Sequence, residues 1–173
     1  VHFPKGARAY DVGTRALCVT LSDLAAMGAQ PAFFTLAITL PELNENWLKG
    51  FSQGLAYIAQ MYQCPLVGGD TTKGDQLTIT IQVHGWVPRG KALTRNGAKV
   101  GDKVYVSGEL GDAAGALQDV VNNPQCDHGL AKQYYCPYPE IEKGINIRNQ
   151  ATSCIDISDG LIQDLQHICN QSQ

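Results

Sequence analysis

Leu66-Val67-Gly68-Gly69-Asp70-Thr71-Thr72 is the stretch on which the reading of this chain turns. The short apolar run from Pro65 to Val67 suits a buried strand. Two glycines then let the backbone turn sharply and let a bulky ligand approach the main chain. Asp70 is expected at the strand end, on a loop, where a carboxylate can reach a divalent cation. Thr71 and Thr72 place hydroxyl oxygens beside it. A donor set made only of oxygen suits Mg²⁺ better than a transition metal. For this stretch alone, an ordinary Asp-Thr turn after a strand is the alternative. Two further segments of the same style favour the cation: Ile155-Asp156-Ile157-Ser158-Asp159-Gly160 and Leu21-Ser22-Asp23.

The 173 residues allow one domain or two small ones. Thirteen basic against sixteen acidic residues give a net charge of −3, which leaves no basic footprint for nucleic acid. No apolar run reaches the roughly eighteen residues of a membrane span. Six cysteines are scattered without a C-x-x-C pair or zinc-finger spacing. They read as reduced thiols of a cytoplasmic protein, with disulfides as the alternative. The chain opens on Val1-His2-Phe3-Pro4 without Met and reads as a fragment of a longer chain.

Working outward, apolar residues at helical spacing predict a helix over 14–27, with Asp11 as its N-cap and Gly28 ending it. Asp23 falls near the C-terminal end of that helix, where the dipole disfavours an acid. A strand is expected over 31–41 and a helix over 47–62. Leu77 to Val87 alternates apolar and polar side chains, the pattern of a half-buried antiparallel strand, with His84 on its polar face. Further strands are expected over 103–107 and 153–157, and helices over 113–121, 140–149 and 160–169. Asn122 to Gln133 reads as a loop carrying an exposed His128. The expected class is α+β. An N-terminal mixed α/β domain over 1–90 is followed by part of a second α/β domain over 91–173.

Taken together these segments resemble the thiamine-monophosphate kinase family. That family belongs to the superfamily of aminoimidazole ribonucleotide synthetase and selenide, water dikinase. The matching blocks are Val1-His2-Phe3, Asp11-Val12-Gly13, Leu21 to Ala29, Thr39-Leu40-Pro41, Gly68 to Thr72, Gly85 to Gly90, Arg95 to Ala98 and Asp156 to Leu161. The Ser22–Ala29 and Gly68–Thr72 blocks together are specific to the kinase. Either one alone indicates the superfamily.

The resemblance implies Mg²⁺-assisted phosphoryl transfer from ATP to thiamine monophosphate. It implies Asp23, Asp70 and Asp156 as Mg²⁺ ligands around ATP, with Asp159 as a further ligand and Asp70 and Asp159 as the catalytic acids. Gly69, Asp70, Arg95 and Ser158 become nucleotide contacts, and His2 a contact to thiamine monophosphate. It also implies a homodimer whose sheets join into a barrel. Thr20 and Thr14 depart from the family's usual Asn and Tyr, at positions outside the acidic set. The family's glycine-aspartate-aspartate metal loop is expected upstream of Val1, and a substrate-closing segment beyond Gln173. The chain therefore reads as the middle of the enzyme, with little activity expected from it alone. The chemistry suits the residues. A phosphate acceptor is already charged, so positioning and charge neutralisation dominate, and no nucleophile is needed. Two alternatives remain. One is another ATP-dependent superfamily member, a ring-closing synthetase or a hydrogenase-maturation factor. The other is a catalytically silent dimerisation module.

Overall fold

A computed structural model describes residues 2–173. The N-terminal half is a helix pair packed on a small mixed sheet. The first helix, α1 (Ala9–Ala26), buries Val12, Leu17, Cys18, Leu21 and Leu24 along one stripe. It starts earlier than its apolar spacing suggests. Arg8 holds the N-cap position, and Asp11, expected there, is a buried first-turn acid whose Oδ2 accepts from Arg8 Nε at 2.6 Å. The carboxylate offsets the first-turn dipole from inside the helix rather than capping it. Gly28 ends the helix as expected, with φ of +63° and its N–H donating to the Ala25 carbonyl at 2.9 Å.

Strand β1 (Gln30–Leu40) follows at once, then helix α2 (Glu45–Met61), whose N-cap Asn44 accepts from Trp47 N at 2.9 Å. Helices α1 and α2 touch backbone to backbone. A Cβ on Gly13 would strike the Phe51 carbonyl oxygen, and one on Gly54 the Tyr10 carbonyl oxygen. Strand β2 (Leu66–Lys73) pairs parallel with β1, and β3 (Thr78–Trp86) pairs antiparallel on its other side, giving the order β2-β1-β3. One face of the sheet meets the helices through Phe34 and Ile38 of β1 and the half-buried Ile79, Ile81 and Val83 of β3. Phe34, Phe51, Leu17, Leu21 and Ile58 lie at or under 2% exposure, each contributing about 1.5–3 kcal/mol of transfer free energy.

The opposite face is open. The alternation expected for Leu77 to Val87 holds there: Thr78, Thr80, Gln82 and His84 point outward, with Thr35, Ala37 and Thr39 of β1 beside them. His84 stacks on Phe33 with ring centroids 4.6 Å apart.

The remaining residues form four short helices: α3 (Asp112–Asn122), α4 (Ala131–Tyr135), α5 (Ile141–Asn146) and α6 (Leu161–Gln171). A second apolar cluster gathers Ala116, Val120, Cys126, Ala131, Tyr134 and Tyr135. Helix α5 packs on α1, its Gly144 against the Ala25 carbonyl. The strands expected over 103–107 and 153–157 do not form. Val104 and Tyr105 are 60% and 83% exposed, and neither segment meets a strand edge with which to build a ladder. Alternation and β-branching describe a surface ready to pair; pairing also needs a neighbour. Among the described residues, no helix is long and apolar enough to cross a membrane.

Candidate active site

Three tethers, two of them between backbones, assemble one end of the molecule. Leu93 N donates to Met27 O at 3.1 Å, which pins the connection after β3 to the end of α1. Cys154 N donates to Thr94 O at 2.9 Å, which brings the Asp156 segment beside Arg95. Ser172, at the end of α6, closes the arrangement. Its hydroxyl accepts from Gly97 N and Ala98 N at 3.2 and 3.1 Å and donates to Arg95 O at 3.2 Å.

Asp23, Arg95 and Asp156 thereby share one electrostatic neighbourhood, although they come from three separate stretches of sequence. Partial desolvation pushes the Asp23 carboxyl above its ordinary range. The Asp156 charge pushes it the same way, and Arg95 opposes both. Asp156 Oδ2 accepts from Ser158 Oγ at 3.0 Å, and Asp159 follows in the same loop. Asp159 sits at the N-terminal end of α6, where amide dipoles favour an anion.

The loop is held by a residue that the sequence reading does not single out. Asp164, 4% exposed, points its Oδ2 back at three amides: Ser158 N at 2.9 Å, Asp159 N at 3.1 Å and Gly160 N at 3.2 Å. The loop's donors are therefore spent on the chain's own carboxylate. Its side-chain oxygens remain to face outward. The available signal was an acid four residues past Gly160, inside the first turn of a helix, where a side chain reaches back to its own N-terminus.

Asp70 stands apart from this group. It is not on a loop after a strand; β2 runs through it, and Ala37 is its partner on β1. The two glycines account for this. Gly69 passes so close to β1 that a Cβ would collide with the Leu36 carbonyl, so Gly68-Gly69 let the strand continue rather than turn. Nor is β2 buried: all eight of its residues are exposed. Thr72 and Asp70 point to the open face, where Thr72 Oγ1 lies 2.9 Å from Thr39 Oγ1. Asp70 Oδ1 accepts from Thr71 N at 2.8 Å. Its partner Ala37 is seven residues along β1 from Gln30, roughly 20 Å from the strand end that lies beside Asp23.

His2 is exposed, with its carbonyl accepting from Arg15 Nε at 3.0 Å. Arg15 in turn lies 4.2 Å over the Tyr134 ring. Arg15 and Asp23 are two turns apart on α1, so His2 is held about 12 Å from the acidic end. Among the described residues, no three His, Cys, Asp or Glu side chains converge into a metal cluster. A cleft of about 600 Å³ between α2 and β1–β2 is lined by Phe34, Leu36, Ile38, Phe51, Leu55 and Thr71, and holds none of the candidate acids.

The donor chemistry at Asp23, Asp156 and Ser158 is oxygen only, with the Asp156 charge adding to the desolvation that raises Asp23. That set fits Mg²⁺, which binds through one or two carboxylates and completes its shell with water and phosphate oxygens. A guanidinium at Arg95, beside the acids, suits a phosphate brought to them.

The class to which this chain belongs follows from a mixed α/β fold whose acidic segments and Arg95 are drawn to one end. The chain belongs to the AIR synthase related family, whose N-terminal domain matches residues 1–87. Its relatives narrow the class further. It is 47% identical to thiamine-monophosphate kinase of Escherichia coli over 99% of this chain and 54% of that protein. The crystal structure of thiamine-monophosphate kinase from Stenotrophomonas maltophilia superposes with a TM-score of 0.93 at 44% identity, over 99% of this chain and 57% of that one. A structure described as AaThiL complexed with AMPPCP and TMP superposes at 0.92 with 30% identity, over 99% and 57%. The chain thus spans about half the length of the relatives it matches.

Proposed function

We propose that this protein transfers the γ-phosphoryl group of ATP to thiamine monophosphate, giving thiamine diphosphate. The observation that carries the reading is that backbone tethers draw the Asp23, Arg95 and Asp156 segments to one end of the fold. Identity of 47% to a named kinase over 99% of this chain supports it, as does a structural neighbour described as complexed with AMPPCP and TMP.

The residues divide the work. Asp23 and Asp156 would hold Mg²⁺ at the α1–α6 end, with Ser158 orienting Asp156 and Asp159, in the same loop, as a further ligand. Mg²⁺ supplies charge neutralisation when bound. Arg95 draws polyphosphate to the acids, and His2 contacts thiamine monophosphate. Asp70, on the open sheet face, would act as a metal ligand and catalytic residue, and Gly69 beside it as a nucleotide contact. The acceptor phosphate is an anion at neutral pH, so no side chain must take its proton. The protein's task is to hold two anions in line.

We place residues 1–90 in an ATP- and Mg²⁺-binding domain and 91–173 in a second domain. The protein acts in the cytoplasm as a homodimer joined through the open sheet face. The test is a coupled assay for ADP release by the full-length protein with ATP, MgCl₂ and thiamine monophosphate, with thiamine diphosphate identified by mass. Stoichiometric product supports the kinase. ATP turnover only with a different acceptor would assign the chain to another member of the superfamily.

A further inference from the structure

Cys18 and Cys136 lie side by side. Cys18 is fully buried on α1, Cys136 is half-buried in the segment that leaves α4, and their Sγ atoms are 3.8 Å apart. They are 118 positions apart in sequence, so folding alone creates the pair. Tyrosines surround the thiols. Tyr57 and Tyr138 hydroxyls are 3.3 Å apart, and Tyr62 donates to the Pro139 carbonyl at 3.1 Å, which fixes the strand of chain carrying Cys136. The kinase reading uses neither sulfur.

We propose that Cys18 and Cys136 form a two-electron redox site that reacts with hydroperoxides and closes to a disulfide. The roles follow from geometry. Cys136 can be reached from solvent and attacks; Cys18, sealed in the core, resolves. The environment agrees: the Cys18 thiol and Tyr138 hydroxyl hold the Cys136 thiol below its ordinary range, while Cys18 itself is pushed up by that bond and by burial.

The steps balance. Cys136 thiolate attacks one oxygen of hydrogen peroxide. The O–O bond breaks, leaving a sulfenic acid on Cys136 and a hydroxide that takes up the thiol's proton. Cys18 Sγ then attacks Cys136 Sγ, the S–O bond breaks, and the departing hydroxide takes the Cys18 proton. Two thiols and one peroxide become one disulfide and two waters. The sulfurs must close by about 1.8 Å to reach bonding distance. The product ties α1, which carries Asp23, to the segment after α4.

Test it on the reduced full-length protein with one equivalent of hydrogen peroxide, then iodoacetamide and non-reducing peptide mapping. The expected result is a Cys18–Cys136 linked peptide that dithiothreitol removes, with the exposed Cys169 still alkylated. Both sulfurs recovered alkylated, or Cys169 oxidised as fast as Cys136, would overturn the proposal. Cys18→Ala should leave a sulfenic acid at Cys136 that dimedone traps, and Cys136→Ser should leave Cys18 unmodified at the same dose. No dimedone adduct in the first, or oxidised Cys18 in the second, would also overturn it. If either variant fails to fold, the wild-type map decides alone.

Discussion

At the scale of single residues, the Asp23–Asp156 opposition has a consequence for stability. The Asp23 carboxyl is raised in the folded chain, so the fold binds that proton more readily than the unfolded chain does. Its contribution is complete below the unfolded pKa and is lost as pH rises through the folded one. Asp23→Asn removes that loss. In EDTA, the variant should melt above wild type by a margin that grows from acid to neutral pH. Saturating Mg²⁺ should reverse the order, since wild type then gains a ligand the variant cannot bind. Melting curves across pH, with and without Mg²⁺, check this; a margin independent of pH would remove the opposition from the account. Asp164 makes the complementary case. Asp164→Ala leaves three amides without their acceptor and should cost about 2–3 kcal/mol. It should also weaken Mg²⁺ binding by about tenfold or more, as loss of support behind a ligand does. Calorimetric titration of the full-length protein reads the second effect; unchanged affinity would make Asp164 a helix cap only. The acids at 23, 156 and 159 could be raised as candidates from sequence because their motifs share one style. Asp164 could not, because its work depends on a loop geometry that spacing does not show.

At the scale of elements, the apolar periodicities located α1, β1, α2, β3 and α6 to within a few residues, since a buried stripe imposes its period on sequence. What misled was glycine. Gly68 and Gly69 read as a turn, yet both sit inside β2, and at Gly69 the neighbouring strand comes too close for a side chain. Glycine permits a turn and permits contact, and sequence does not say which. Gly13 and Gly54 are the helical counterpart, letting α1 and α2 meet at the backbone. Gly54→Ala should therefore push the helices apart at a cost of about 1–3 kcal/mol. Gly68→Ala, where a Cβ meets nothing within 4 Å, should stay within about 0.5 kcal/mol of wild type. Urea midpoints compare the two directly. Equal shifts would mean that the helix contact has room to relax.

At the scale of the whole molecule, the open sheet face asks for a covering. Its centre is small and polar: Thr35, Ala37 and Thr39 on β1, flanked by Asp70 and Thr72 on β2 and by Thr78 and Thr80 on β3. Among the described residues no helix lies on that side, and β2 is exposed along its whole length. An edge and a face left bare together are what a second sheet would use. Small side chains there would let two sheets approach, and a long cation at the centre should prevent it. Ala37→Lys supplies one. Within one chain it sits directly opposite Asp70, so the cross-strand pair is favourable and the subunit keeps its fold. Between chains it drives a long side chain into a face whose small residues set how closely two sheets can approach, which is costly. Light scattering on the full-length protein should give a dimer mass for wild type at micromolar concentration and a monomer mass for Ala37→Lys. The far-ultraviolet circular dichroism of the two should match. A variant that remains dimeric with an unchanged spectrum would move the interface away from this face. It would also leave Asp70 exposed in the assembled protein, about 20 Å from the acids it is proposed to work with.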